Sequence, residues 1–72
     1  MKDIRNKILA RNIKAERYRK GVTQAELAEK IDVSESTISL IERGIQTPSI
    51  FLVYDISKFL NIDVNDLLKN LD

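Results

Sequence analysis

The sequence has 72 residues and contains no cysteine and no histidine. Without cysteine there can be no disulfide, thiolate metal site or thiol nucleophile, and a reducing compartment is favoured. Without histidine, a common zinc ligand and the commonest general base are missing. No glycine-rich phosphate loop or nucleophile–base pair is visible either. We therefore expect no metal, no cofactor and no enzymatic activity.

Long apolar runs are also missing. No segment approaches the roughly 18 residues that a membrane span needs, and the first residues, "MKDIRNKILARN", are charged where a signal peptide would be apolar. These features predict a cytoplasmic protein with no membrane contact. The length allows one small core, so a single domain over residues 1–72 is expected.

Glycine and proline are scarce, and the few present lie between segments of helical period. Apolar residues recur at spacings of three and four without sustained alternation, which predicts an all-α protein, a compact five-helix bundle. The first helix should cover about Asp3 to Lys20. The next three should be capped by Thr23, Ser34 and Thr47, the last of these with Pro48 at its first position, and Asp63 should cap the fifth. The predicted core face of the fourth helix is Leu52, Val53, Ile56, Phe59 and Leu60.

Charge is unevenly distributed along the chain. Residues 1–20 carry eight basic and two acidic side chains, whereas the remainder carries four basic and nine acidic ones. The net charge of +1 therefore conceals a basic first helix, which indicates either an anionic partner or only a solvated face.

The second and third helices have a distinctive arrangement over about residues 23–43. A helix of about eight residues is followed by the short turn "IDV" and by a helix whose inner face is Ile38 and Ile41. Small Ala28 lies where the helices would cross, and Asp32 in the turn tolerates a left-handed backbone. This length and turn are typical of a DNA-binding helix-turn-helix.

The segment "IKAERYRKGVTQAELAEKIDVSESTISLIERGIQTPS" resembles the lambdoid phage repressor and Cro family of helix-turn-helix regulators. The motifs "TQAELA" and "S-x-S-T-I-S-x-I-E-x-G" and the following proline all fall at the spacing of that family. The resemblance covers about residues 9–69. It implies the five-helix repressor fold and a bacterial or phage origin.

The resemblance also implies residue roles. Gln24 matches a glutamine that contacts a phosphate, and Arg17 and Glu42 match an ion pair that joins the first helix to the end of the recognition helix. The exposed part of the recognition helix, which would lie in the major groove, matches Ser34, Glu35, Ser36, Thr37 and Ser39. Leu40 and Arg43 share its outer side.

Glu35 and Ser36 stand where many members of that family have Arg, Lys or Gln, and the loop "IQT" lacks their phosphate-binding lysines. Glu35 could accept a hydrogen bond from cytosine N4 or only stabilise the helix dipole. Arg43 could contact a phosphate or be a solvated cation at a helix end.

Leu40, Ile45, Phe51 and Tyr54 occupy positions where members of the family are often polar. They could form an exposed apolar surface for a dimer or a protein partner, or they could pack against the first helix.

The sequence as a whole predicts a sequence-specific transcriptional regulator, a repressor in the simplest case, that binds double-stranded DNA as a homodimer on a palindromic site. The alternative is a protein-interaction module on the same scaffold, such as an antitoxin-like regulator.

Overall fold

Five α-helices make up the architecture of residues 3–72, the part of the chain that the computed structural model describes, and these residues contain no strand. The helices are α1 Ile4–Arg19, α2 Gln24–Lys30, α3 Glu35–Glu42, α4 Ile50–Leu60 and α5 Val64–Leu68. The all-α, five-helix prediction is therefore confirmed.

Short polar side chains begin the helices. The Thr23 hydroxyl accepts a hydrogen bond from the Glu26 amide at 3.0 Å, and the Glu26 carboxylate accepts one from the Thr23 amide at 2.9 Å. This capping box satisfies two amides that would otherwise lack partners. Ser34 and Asp63 cap α3 and α5, as predicted.

Left-handed residues end the first three helices. Gly21 and Gly44 have φ of 69° and 75°, and Asp32 follows α2 with φ of 60°. At Asp32 the chain turns within one residue, because the Val33 amide donates back to the Ala28 carbonyl at 3.0 Å. This turn sets the angle between α2 and α3, the two helices that pack most closely on each other.

The start of α4 differs from the sequence prediction. Thr47 was expected to cap it with Pro48 at the first helical position, but the cap is Ser49, whose hydroxyl accepts from the Leu52 amide at 3.1 Å. Serine is the stronger N-cap of the two, so the helix begins two residues later and Pro48 stays in the preceding loop.

One core is shared by all five helices. Its buried apolar members are Leu9, Ala10, Ile13, Leu27, Ala28, Ile38, Ile41, Val53, Ile56, Leu60 and Leu67. Phe59 was expected among them but is 36% exposed. The buried line of α4 runs through Val53, Ile56 and Leu60, and the 100° step of a helix places Phe59 on its flank.

A buried asparagine joins the first helix to the last one. The Asn12 side-chain amide donates to the carbonyls of Leu67 and Lys69 at 3.0 and 2.9 Å. These carbonyls lie at the end of α5, where the helix leaves them without intrahelical partners. Asn12 thereby fastens α5 to α1. None of the described helices is long and apolar enough to cross a membrane.

Candidate nucleic-acid interface

Helix α3 has one buried and one exposed side. Ile38 and Ile41 are 0% and 1% exposed and pack into the core. Ser34, Glu35, Ser36 and Arg43 are exposed, whereas Thr37, Ser39 and Leu40 are half-buried. The outer side therefore presents hydroxyl groups, one carboxylate at its start and one guanidinium at its end.

Two of the residues predicted to contact DNA also take part in the N-cap of α3. The Ser34 hydroxyl accepts from the Thr37 amide at 3.1 Å and lies 2.8 Å from the Thr37 hydroxyl. These hydroxyls are therefore partly occupied by capping, whereas no hydrogen bond of the Ser36 or Ser39 side chain is found among residues 3–72. Ser36 and Ser39 are the serines with the most freedom to bind another molecule.

Arg17 and Glu42 lie together beneath this surface. Their contacts are Nε to Oε2 at 2.7 Å and Nη2 to Oε1 at 2.9 Å, and their side chains are only 7% and 1% exposed. Hydrogen bonding to Glu42 raises the pKa of Arg17 above its usual range. The pair connects α1 to the last turn of α3, and Arg17 also donates to the Val22 carbonyl at 2.7 Å.

Gln24 joins the same network. Its side-chain nitrogen donates to Glu42 Oε1 at 3.1 Å, and the residue is half-buried at the first position of α2. The family resemblance implied a phosphate contact for Gln24 but not this bond. One amide hydrogen and the side-chain carbonyl remain available, and their direction is fixed by the Glu42 contact.

A groove between the end of α1 and the starts of α2 and α3 brings several of these residues together. We call it the recognition groove, and it is lined by Lys14, Arg17, Tyr18, Gly21, Val22, Thr23, Gln24 and Glu35. Tyr18 is 65% exposed, and its ring centroid lies 4.6 Å from the Arg17 guanidinium carbon and 5.9 Å from Lys14 Nζ. Sequence reasoning missed Lys14 and Tyr18, although their spacing of four places them on one side of α1.

The predicted apolar surface is largely exposed. Ile45, Phe51 and Tyr54 are 46%, 78% and 55% exposed, and Ile50, which was not predicted, is 69% exposed. Leu40 is half-buried, and the loop after Gly44 turns back toward it, with the amides of Ile45 and Gln46 donating to the Leu40 carbonyl. The described chain does not cover the exposed side of α4.

Comparison with known proteins defines the family. The sequence profile described as helix-turn-helix (HTH_3) matches residues 13–67. The chain belongs to this family, the Cro/C1-type helix-turn-helix regulators, which bind DNA and are not enzymes.

Among curated proteins, the chain is similar to the HTH-type transcriptional regulator SinR of Bacillus licheniformis, with 41% identity over 66 residues, or 90% of this chain and 60% of SinR. SinR of Bacillus subtilis is 42% identical over 62 residues, which cover 85% of this chain and 56% of SinR. The chain thus spans less than two thirds of the length of these two relatives.

Solved structures agree with the fold. The clp gene regulator ClgR of Corynebacterium glutamicum superimposes with a TM-score of 0.90 at 31% identity, over 99% of this chain and 76% of that one. SinR, the master regulator of biofilm formation, solved in complex with DNA, gives a TM-score of 0.78 at 42% identity, over 85% of this chain and 98% of that one. A SinR–SinI protein complex also matches, with a TM-score of 0.78 at 41% identity, over 86% of this chain and 61% of that one.

Proposed function

We propose that this chain is a sequence-specific transcriptional repressor that places residues 34–43 in the major groove of double-stranded DNA. The observation that carries the proposal is the two-sidedness of α3, whose apolar side is sealed in the core while its opposite side presents free hydroxyls, Glu35 and Arg43. Ser36 and Ser39 have short side chains, so the helix backbone can approach base edges closely at these positions. SinR, which is similar over 85% of this chain, has been solved with DNA bound.

The proposed contacts divide into two kinds. Gln24 and Arg43 would bind phosphates and fix the register of the protein on the duplex. Ser34, Glu35, Ser36, Thr37, Ser39 and Leu40 would face the bases. Among these, Ser36 and Ser39 are the most direct candidates for hydrogen bonds, because capping does not occupy their hydroxyls. The buried Arg17–Glu42 pair would act indirectly, by holding Gln24 and the recognition helix in place.

Selection of bound duplexes from a random pool tests sequence-specific binding. We expect a palindromic consensus whose half-sites are about one helical turn apart. Ser36→Ala should relax the preference at one base position, and Gln24→Ala should weaken binding to every sequence by a similar factor. Absence of any enriched sequence at low salt would refute the proposal.

We further propose that the chain forms a homodimer through the exposed apolar side of α4 and the loop before it, with Ile45, Phe51 and Tyr54 in the contact and Leu40 at its edge. Exposed apolar side chains in this number indicate a protein contact. Phe51→Ser should shift the sedimentation of the protein toward the monomer. Ile4→Ser is the matched control, because Ile4 is also 67% exposed but lies on α1.

A protein partner on this same surface is the second candidate function, and the exposed side of α4 favours it as well. The SinR–SinI complex shows that one relative of this chain binds another protein. A chain that remains monomeric at all concentrations and selects no DNA sequence would favour this candidate.

A further inference from the structure

Four exposed cations line a second groove, on the other side of Lys14 from the recognition groove. The groove is lined by Lys7, Ala10, Arg11, Lys14, Glu42 and Arg43. Lys7, Arg11 and Lys14 are spaced by four and three residues, so they project from one face of α1. We call Lys7, Arg11, Lys14 and Arg43 the basic strip.

Close packing between α1 and the end of α3 fixes the position of this strip. The Asn6 side-chain amide donates to the Gly44 carbonyl at 2.9 Å. A Cβ atom on Gly44 would lie 3.2 Å from Lys7 Cγ, so the stem of Lys7 approaches the backbone at the point where α3 ends. Lys7 therefore lies near Arg43, the residue just before Gly44.

The strip also borders the recognition groove. Lys14 lines both grooves, with Gln24 and Glu35 on one side and Arg43 on the other. Helix α1 thus packs against the end of α3, and its basic face borders the surface that would enter the major groove.

The members of the strip are free of acidic partners within residues 3–72. The ion pairs found there involve Arg5, Arg17, Arg19 and Lys69. Glu42, the one carboxylate in the second groove, is already bound to Arg17, and its side chain is 1% exposed. A row of four unpaired cations repels itself and attracts a polyanion.

We propose that the basic strip binds the phosphates of the DNA strand beside the major groove that α3 enters, so that α1 is part of the DNA interface. Lys7 and Lys14 are separated by about 10 Å along the helix axis, and one DNA strand rises by about 3.4 Å per phosphate along the duplex axis, so the strip is long enough to reach more than one phosphate of a strand. The strip would supply the backbone contacts that the loop "IQT" lacks. This inference rests on the proposed function, because it assumes that α3 enters the groove.

The test compares two triple variants with the same change in charge. The strip variant is Lys7→Gln, Arg11→Gln and Lys14→Gln, and the control is Lys30→Gln, Lys58→Gln and Lys69→Gln, which removes three cations elsewhere. Dissociation constants are measured over a salt series for the selected duplex and for a random duplex. The salt slope is the slope of the logarithm of the binding constant against the logarithm of the salt concentration. Each lost phosphate contact lowers its magnitude by about 0.9, so the magnitude for the strip variant should fall by about 2.7. Its preference for the selected duplex should remain, and the control should keep the slope of the wild type.

A slope that is unchanged in the strip variant, or lowered equally in the control, would overturn the inference. Circular dichroism checks that each variant is folded, and if the triple variant unfolds, Lys14→Gln alone should lower the slope by about 0.9. Lys14→Arg should bind like the wild type. If the wild type binds both duplexes equally, sequence specificity fails while the slopes still test the strip. If it binds neither, both proposals are refuted.

Discussion

The guanidinium of Arg17 meets the carboxylate of Glu42 through two parallel hydrogen bonds, and neither side chain is more than 7% exposed. Removing one partner of such a pair leaves an uncompensated buried charge, which costs about 3–5 kcal/mol. That is close to the roughly 3–5 kcal/mol that one core of this size supplies. We therefore expect Glu42→Ala to be largely unfolded at room temperature even without urea. Urea titrations followed by circular dichroism measure this.

A double variant separates the pair itself from the burial of a lone charge. Replacing both residues with apolar ones, Arg17→Met with Glu42→Leu, should recover most of the lost free energy of unfolding, because well-packed apolar pairs often equal a buried ion pair. If the double variant is as unstable as Glu42→Ala, the stabilising role lies in the bonds to Val22 and Gln24 instead.

Asp32 carries the backbone strain of the turn between α2 and α3. Its φ of 60° is left-handed, a conformation that glycine adopts freely and alanine does not. Asp32→Gly should raise the free energy of unfolding by up to about 1 kcal/mol, and Asp32→Ala should lower it by about 1 kcal/mol. The urea midpoints of the two variants measure this, and equal midpoints would show that the turn is not strained.

The capping box at the start of α2 should make stability depend on pH. The Thr23 amide hydrogen bond lowers the pKa of Glu26 below its usual 4.5. A carboxylate with a lowered pKa in the folded state stabilises the protein above its unfolded pKa, and this stabilisation is lost as the pH falls through the folded value. Thermal unfolding between pH 7 and pH 2 should therefore show a steeper acid loss in the wild type than in Glu26→Gln. Glu29 is also exposed, and Glu29→Gln is the control. This variant should show the same dependence of thermal stability on pH as the wild type.

The sequence contained most of the information needed to predict the helices, because each helix start is decided by a few local residues. Thr23 with Glu26, Ser34 and Asp63 were recognised as caps on that basis. At α4, however, two capping residues lie two positions apart, and only the packed structure decides in favour of Ser49.

The long-range contacts could not be predicted in the same way. Asn12 binds carbonyls more than fifty residues away, and nothing in the local pattern around it points to α5. The family resemblance paired Arg17 with Glu42, but the bond from Gln24 to Glu42 depends on the crossing of α2 and α3. Likewise the composition shows that the first helix is basic, whereas its position against the end of α3 depends on the contact between Asn6 and Gly44.

Glu35 is the acidic member of the candidate interface. It is exposed in the first turn of α3, in the groove that also contains Lys14 and Tyr18. A carboxylate there stabilises the helix dipole by about 0.3–1 kcal/mol but also repels nearby phosphates. We expect Glu35→Gln to lower the free energy of unfolding by that amount. The same variant should raise the affinity for DNA, and the increase should be equal for all duplex sequences.

The competing role of Glu35 makes a different prediction for the same variant. If the carboxylate accepts from cytosine N4, Glu35→Gln should lose preference at one base position, by about 1–3 kcal/mol, and leave the other positions unchanged. Duplexes selected by the wild type, Glu35→Gln and Ser36→Ala, compared position by position, distinguish the two. Ser36→Ala serves as the reference for a lost base contact, because it removes a free hydroxyl without changing charge. A matching loss of preference at a single position in Glu35→Gln would show that the acid reads the sequence and would contradict the dipole role that we expect.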